Sequence, residues 1–286
     1  MGQPVRHHRV RRVRSRAGRL LLTGDRRTAS ATDADWQRLS GGTMSLVERR
    51  GDVVRRRTGF WSPPVHALLS HLETVGFDRS PRLLGVDGQG RELLSYLPGE
   101  VPRAWRWVGD DRALVEAARL LRRYHDAVAG TTLRTLPGWD PFLQEPPELR
   151  GDPEAEVVCH NDFAVYNCVF VDGLPQAMID FDGAAPGSRG WDLAWTAFSF
   201  VPLNPDVPVP DRPRRLRLIC DAYGLTDRSR LVDLIEARLE RLRDGIRSLA
   251  GTDAPQGDTP PSHLAYCERS LRLVRRLRPA LESALR

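Results

Sequence analysis

Residues 157–182 read VVCHNDFAVYNCVFVDGLPQAMIDFD, and this stretch restricts the chain more than any other. Two apolar runs, 168–171 and 176–179, flank Asp172-Gly173. A DG pair between such runs is the strongest short-range signal for an antiparallel hairpin. Setting Cys168 opposite Ile179 extends the pairing to Asn167 opposite Asp180. Residues directly facing across such a pair have Cβ atoms about 4.5–5.5 Å apart. An amide oxygen and a carboxylate therefore converge at one end of the hairpin, where a single hard cation fits between them. Mg2+ suits such a site, because it takes few protein oxygens and completes its shell with phosphate and water. Asp162, five residues before Asn167, brings a second carboxylate to the same place. The pattern separates a metal-holding pair from a free acid/base group.

The segments before and after the hairpin differ in period. Residues 39–60 contain a Gly-rich entry at Gly41-Gly42 and two strand-like runs about a turn at Gly51-Asp52. Pro63-Pro64 then opens a helix in which Val65, Leu68, Leu69 and Leu72 recur at helical spacing until Gly76. Two short strands, PRLLGVD and RELLSYL, follow about Gly88-Gln89-Gly90. Past Pro98-Gly99 the period is helical. Leu114, Ala117, Ala118, Leu121 and His125 share one face, and Arg/Leu-rich amphipathic segments, broken by GTDAPQGDTPPSH, fill residues 211–286. The expected class is α+β, a small antiparallel sheet with one helix followed by a larger helical part. The expected division is 1–35 as a disordered Arg-rich tail, 36–97 as a nucleotide-binding lobe and 98–286 as a catalytic and substrate lobe.

Composition narrows the partners. The net charge is +6, but residues 1–30 hold nine Arg and one Asp, so the remainder sums to −2. The basic character therefore belongs to the tail and gives no reason to expect nucleic-acid binding by the folded part. All 43 basic residues are arginine, so work usually given to lysine falls to arginine. No apolar run approaches the ~20 residues of a membrane span, and the longest near the N-terminus, 20–22, is too short for a signal-peptide core. No membrane partner and a cytoplasmic location are expected. Four scattered cysteines without a CxxC pair are read as reduced thiols, with Cys159 and Cys168 as core residues rather than metal ligands. His66, His71 and His125 fall on helical faces and are read as packed or solvated, and Trp105 and Trp107 as packing residues.

The pattern H-x-D-x-x-x-x-N, followed 18 residues after its Asp by D-F, resembles the catalytic and metal-binding loops of protein-kinase-like phosphotransferases. CHNDFAVYN with IDFDGAAPGSRGWDLAW resembles specifically the aminoglycoside phosphotransferase family, and the preceding elements agree with it in order over roughly 38–200. The resemblance implies a bilobal kinase-like fold and transfer of a phosphoryl group from ATP, or another nucleoside triphosphate, to a hydroxyl of a small molecule. It implies Asp162 as the catalytic carboxylate facing the substrate hydroxyl and Asn167 and Asp180 as the Mg2+ ligands. His160 and Asp192 would support the loop. Gly42 would cover phosphate, Arg55 would stand where the family has its strand lysine, and backbone groups of Ser95 and Leu97 would meet adenine.

Several positions depart from the family. Asn161 replaces a glycine, and Asp182, where the family has Gly or Glu, is read as solvated. The glutamate that pairs with the strand lysine should fall near Val65 and His66, where there is no carboxylate. The alternative reading is thus a catalytically weak or inactive kinase-like protein that binds nucleotide or regulates a partner. The −2 charge outside the tail and the Arg-rich C-terminal helices speak against an acidic pocket for a polycationic acceptor, and no acceptor is identified.

Overall fold

The computed structural model describes residues 35–39, 46–102, 109–152, 156–250 and 261–286. Trp36–Arg286 forms one unit. The Arg-rich tail lies almost wholly outside the described residues, as do Gly41, Gly42, Trp105 and Trp107.

Five antiparallel strands open the folded part: β1 (Gln37–Arg38), β2 (Glu48–Arg50), β3 (Val53–Arg57), β4 (Leu83–Val86) and β5 (Arg91–Ser95), in the order β1-β2-β3-β5-β4. The β2–β3 turn at Gly51-Asp52 falls where expected, with Gly51 at φ 58° supplying the left-handed residue. In the β3–β5 ladder Arg55 faces Leu93 and Arg56 faces Glu92. Side chains alternate between sheet faces, so these neighbouring arginines point opposite ways. The helix α1 (Ser62–Thr74) begins with prolines in its first turn and buries the expected Val65, Leu68, Leu69 and Leu72. Each buried leucine contributes about 1.5–3 kcal/mol relative to exposure.

The chain leaves the sheet through Gly99, at φ 145°, and docks at once on the second half of the molecule. Glu100 N donates to Phe170 O (2.9 Å) and Phe170 N to Glu100 O (2.8 Å). A methyl on Gly99 would lie 2.5 Å from a Val169 methyl and 2.6 Å from Phe170 O, so the approach requires glycine. The turn after α1 also reaches across, with Met178 N on Arg79 O at 2.8 Å.

The helical part consists of α2 (Asp111–Val128), α3 (Arg189–Phe200), α4 (Arg212–Tyr223), α5 (Leu231–Ala250) and α6 (Pro261–Leu285). Asp110 caps α2 by accepting from Arg112 N, and the expected stripe from Leu114 to His125 is buried. Two small pairs lie between α2 and α3: β6 (Val157–Cys159) with β9 (Ala185–Gly187), and β7 (Cys168–Val171) with β8 (Leu174–Met178).

The hairpin corrects the sequence-based register. Val171 faces Leu174 and Phe170 faces Pro175 beside the Asp172-Gly173 turn. An irregularity between Val169 and Phe170 then shifts the pairing to Val169–Ala177 and Cys168–Met178. Pro175 cannot donate to the ladder, which accounts for the break. Asn167 therefore stands opposite Ile179, whose N–H it accepts at 3.0 Å, and not opposite Asp180. Among the described residues no helix is long and apolar enough to cross a membrane, and all four cysteines are free and buried.

Candidate active site

The loop carrying Asp162 is held from below by a buried carboxylate. Ser188 caps α3 by accepting from Trp191 N, and the Glu145 carboxylate takes Ser188 N (2.6 Å) and Ser188 Oγ (2.9 Å). This fixes Asp192 in the first turn of α3, fully buried. Its Oδ1 accepts Asn161 N (2.8 Å), and its Oδ2 accepts His160 N (2.7 Å) and His125 Nε2 (2.9 Å). Burial alone would raise the Asp192 carboxyl, but these donors outweigh it and hold it below the usual range. Burial lowers His125, which is therefore neutral at pH 7 and accepts Tyr223 OH on Nδ1 at 2.7 Å.

His160 and Asn161 shape the loop itself. His160, also lowered by burial, donates Nε2–H to Ile179 O (3.1 Å) and accepts Asp162 N on Nδ1 (3.3 Å), and its ring lies 4.5 Å from that of Phe181. Asn161 is left-handed at φ 63°, a conformation asparagine tolerates better than most residues. The same geometry explains why a glycine suits this position. The Asn161 amide donates to Gly183 O at 3.0 Å, so the loop is tied to the segment after Asp180.

Asp162 comes out of this loop partly buried. Its Oδ1 accepts Tyr166 OH (2.8 Å) and Trp195 Nε1 (2.9 Å), and its Oδ2 accepts Asn167 Nδ2 (2.8 Å). Loss of water pushes the carboxyl up to about 7; the Asp180 charge adds to the rise, while the Tyr166 and Trp195 hydrogen bonds and the Arg238 charge oppose it. A carboxylate titrating near neutrality suits proton transfer near pH 7. Asn167 commits its amide nitrogen to Asp162, to the carboxylate and to the backbone oxygen at 3.0 Å. Its amide oxygen is the atom left to ligate a cation.

Asp180 is left-handed at φ 65° and half exposed. Its partner is Arg56, whose Nη1 lies 2.7 Å from Asp180 Oδ1 and whose Nη2 lies 2.5 Å from Asp182 Oδ1. The Arg56 Nε bonds the buried Glu92, and Glu92 Oε2 meets His66 Nε2 at 2.6 Å. Burial alone would lower Arg56, but the carboxylates of Asp180, Asp182 and Glu92 outweigh it and raise its pKa. Burial lifts the Asp182 carboxyl to about 6, with Asp180 and Glu92 adding to the rise and Arg56 opposing it. Asp182 is thus engaged rather than merely solvated.

Several sequence-based assignments change in this light. Arg55 does not face the hairpin: its Nε bonds Glu48 at 2.7 Å and its guanidinium lies 4.2 Å from the Trp36 ring centre. The arginine that reaches Asp180 is Arg56, because strand alternation gives the two residues opposite faces. The carboxylate on Arg56 Nε comes from the sheet, Glu92, and not from the helix, which supplies His66 to its other oxygen. Ser95 N is committed to Arg82 O at 2.9 Å, so it has no amide to offer a base, whereas half-buried Leu97 lies beyond the last β5 ladder pair. Gly42 lies outside the described residues.

Sequence reasoning missed Arg56, Glu92, Tyr166 and Trp195. Glu92 gave a partial signal: a carboxylate opposite an arginine is a stabilising cross-strand pair, although α1 and β4 lie between the two strands, so spacing alone does not set their register. Tyr166 and Trp195 gave no such signal, since nothing in residue type or spacing tells a site aromatic from a core one.

Comparisons with known proteins place the chain in a family. The model of the phosphotransferase enzyme family matches residues 133–234, which span the Asp162 loop, the hairpin and the start of α5. A trifolitoxin immunity protein of Rhizobium leguminosarum bv. trifolii is 32% identical over 261 residues, covering 86% of this chain and 97% of that protein. An amicoumacin kinase solved with AMP-PNP and Ca2+ superposes with TM-score 0.62 at 11% identity, over 87% of this chain and 90% of its own. A choline/ethanolamine kinase family protein from Mesorhizobium loti superposes with TM-score 0.61 at 17% identity, over 90% and 94%. The structural likenesses fix the kinase-like fold, and with the sequence relative and the matching family model they establish that the chain belongs to the phosphotransferase enzyme family, that of the aminoglycoside phosphotransferases.

Proposed function

We propose that the chain is an ATP-dependent phosphotransferase that moves the γ-phosphoryl group to a hydroxyl of a small molecule. The observation that carries this reading is that Asn167 bonds Asp162 while Asp180, whose charge is felt at Asp162, bonds Arg56 of the sheet. Asp162 takes the proton of the acceptor hydroxyl. The hydroxyl oxygen forms the new bond to phosphorus as the bond from phosphorus to the β-phosphate oxygen breaks, and ADP leaves with that electron pair. Trp195 and Tyr166 hold one oxygen of Asp162, which aims the other side of the carboxylate. Arg56 offers a planar fork to phosphate oxygens, and Glu92 fixes its Nε side.

Magnesium fits the residues present. Asp180 and Asp182 already direct oxygens at one cationic group, and Asn167 keeps an amide oxygen for ligation. Among the described residues no three His, Cys, Asp or Glu side chains form a metal site by themselves, so phosphate and water would have to complete the shell of an ion held here. Bound Mg2+ supplies neutralisation of phosphate charge.

The immunity relative supports a toxin hydroxyl as the first acceptor class to screen. A second reading, nucleotide binding without turnover, is favoured by the clasp of Arg56 on both Asp180 and Asp182. Calorimetric titration of ATP into the full chain, with and without Mg2+ and beside Asp180→Asn, tests the donor site. Binding that needs Mg2+ and weakens in the variant is expected. Absence of binding at millimolar ATP would overturn the donor assignment, and binding without ADP formation across a hydroxyl panel would favour the second reading.

A further inference from the structure

Arg238, on α5, is 1% exposed, yet among the described residues its hydrogen bonds go to two backbone carbonyls rather than to a carboxylate, and its Nε has no partner. Burying a guanidinium without a carboxylate in contact is expensive, so its bonds deserve an account. Its Nη1 donates to Leu143 O at 2.8 Å and its Nη2 to Asn161 O. The guanidinium lies 4.9 Å from the Trp191 ring centre and 5.0 Å from that of Trp195. Trp191 Nε1 donates to the same Leu143 O at 3.1 Å.

Two of these contacts lead to Asp162 by separate routes. The Asn161 carbonyl belongs to the peptide unit whose N–H is that of Asp162, and that N–H is held by His160 Nδ1 at 3.3 Å. Arg238 and His160 thus grip the two ends of one peptide plane, immediately before the carboxylate. The second route runs through Trp195, whose ring stacks against the guanidinium while its N–H holds Asp162 Oδ1 at 2.9 Å.

We propose that Arg238 is a positioning residue for Asp162: it locks the Asn161–Asp162 peptide plane and backs the indole that orients the carboxylate. The proposal rests on the reading that Asp162 receives the hydroxyl proton. Arg238 is too deeply buried to touch substrate; it acts on Asp162 through the backbone and Trp195, and through a charge that favours the ionised carboxylate. Arg241, on the same helix, makes a comparable bond to a loop carbonyl, Pro141 O at 2.6 Å, away from the Asp162 loop. It provides a matched control.

The test compares Arg238→Met, Arg238→Lys and Arg241→Met in steady-state turnover and in hydrogen–deuterium exchange of the peptide spanning 158–168. Displacing a catalytic group by about an ångström can cost about a hundredfold. Arg238→Met is expected to lower kcat at least about tenfold with KM for ATP within about twofold. Arg238→Lys should recover part of the loss and Arg241→Met none of it lose. Exchange of the loop should quicken in Arg238→Met alone. Unchanged kcat per folded molecule with unchanged loop exchange would overturn the proposal. If Arg238→Met does not fold, Arg238→Lys and Trp195→Phe decide, since wild-type kcat in both would also overturn it. If the wild-type chain turns over no acceptor, the parent reading fails, and loop exchange alone then decides whether Arg238 orders this segment.

Discussion

Asp192→Asn isolates the electrostatic support of the Asp162 loop with almost no change of volume. The carboxylate accepts three bonds, from His160 N, Asn161 N and His125 Nε2, within a fully buried site. An asparagine offers one oxygen and turns an NH2 group toward the other donors, so in either orientation at least one buried N–H meets another donor. A hydrogen bond to a charged group is worth about 1.5–3 kcal/mol, and an unsatisfied buried donor costs about 1–3 kcal/mol. Breaking one member of such a buried network costs about 3–5 kcal/mol in all. For a protein of this size each kcal/mol moves Tm by about 2–4 °C, so the expected fall is roughly 10 °C at pH 7. The acid limb gives a second signature. Because the Asp192 carboxyl is lowered in the folded state, its contribution is present above the unfolded value and lost as pH falls through the folded one. Wild-type stability should therefore drop more steeply below about pH 4 than that of the variant. Thermal and urea unfolding across pH 2–8 measures both. A variant within about 2 °C of wild type at pH 7 would refute the view that Asp192 carries the loop.

Other expectations are independent of this one. Asp162 must be ionised to accept a proton, so kcat/KM should fall about tenfold per unit below an apparent pKa near 7, and a flat profile from pH 5 to 8 would remove Asp162 from that role. The raised carboxyl also costs stability as pH climbs from its unfolded value to about 7, so wild-type stability should decline over that range more than that of the inactive Asp162→Asn, as unfolding in urea across pH would measure. Gly99→Ala forces a side chain into Val169 and the Phe170 carbonyl at a left-handed backbone, so it should lower Tm by several degrees, roughly 1–3 kcal/mol, where a change within 1 °C would show that this crossing can relax. The four buried thiols, with Cys168 and Cys159 raised well above their usual value by burial, should stay unreactive toward a thiol reagent until the chain unfolds.

Where the sequence was legible, local chemistry decided the outcome. The DG turn, the Pro-Pro helix start and the apolar stripes of α1 and α2 depend on near neighbours, and the structure follows each of them. The spacing of Asp162, Asn167 and Asp180 was legible as a constellation, but the register that joins them was not: the two-residue turn sets Val171 opposite Leu174, and the one-residue irregularity beside Pro175 brings Asn167 only as far as Ile179, one short of Asp180. Choosing between Arg55 and Arg56 needed the sheet face, which a run of three arginines conceals. Asp182 looked solvated because its partner lies 126 positions earlier in the chain. Arg238 and Trp195 left no trace in periodicity, as a buried arginine on an Arg/Leu helix reads like any solvated one.

The Arg56–Glu92 contact is a rung of the β3–β5 ladder, which alters what kind of control the site can accept. Where a strand cation is held by a carboxylate on a mobile helix, swinging the helix outward disarms it. Here α1 supplies only His66, at the far oxygen of Glu92, so displacing that helix removes one hydrogen bond and leaves the cation anchored for as long as the two strands stay paired. On the proposed donor reading, an off state would be built at the opposite end of the guanidinium, where Asp180 and Asp182 would compete with incoming phosphate for the same N–H groups. Concentrations of nucleotide and divalent ion, rather than the tilt of a helix, would then set the fraction of molecules that are armed.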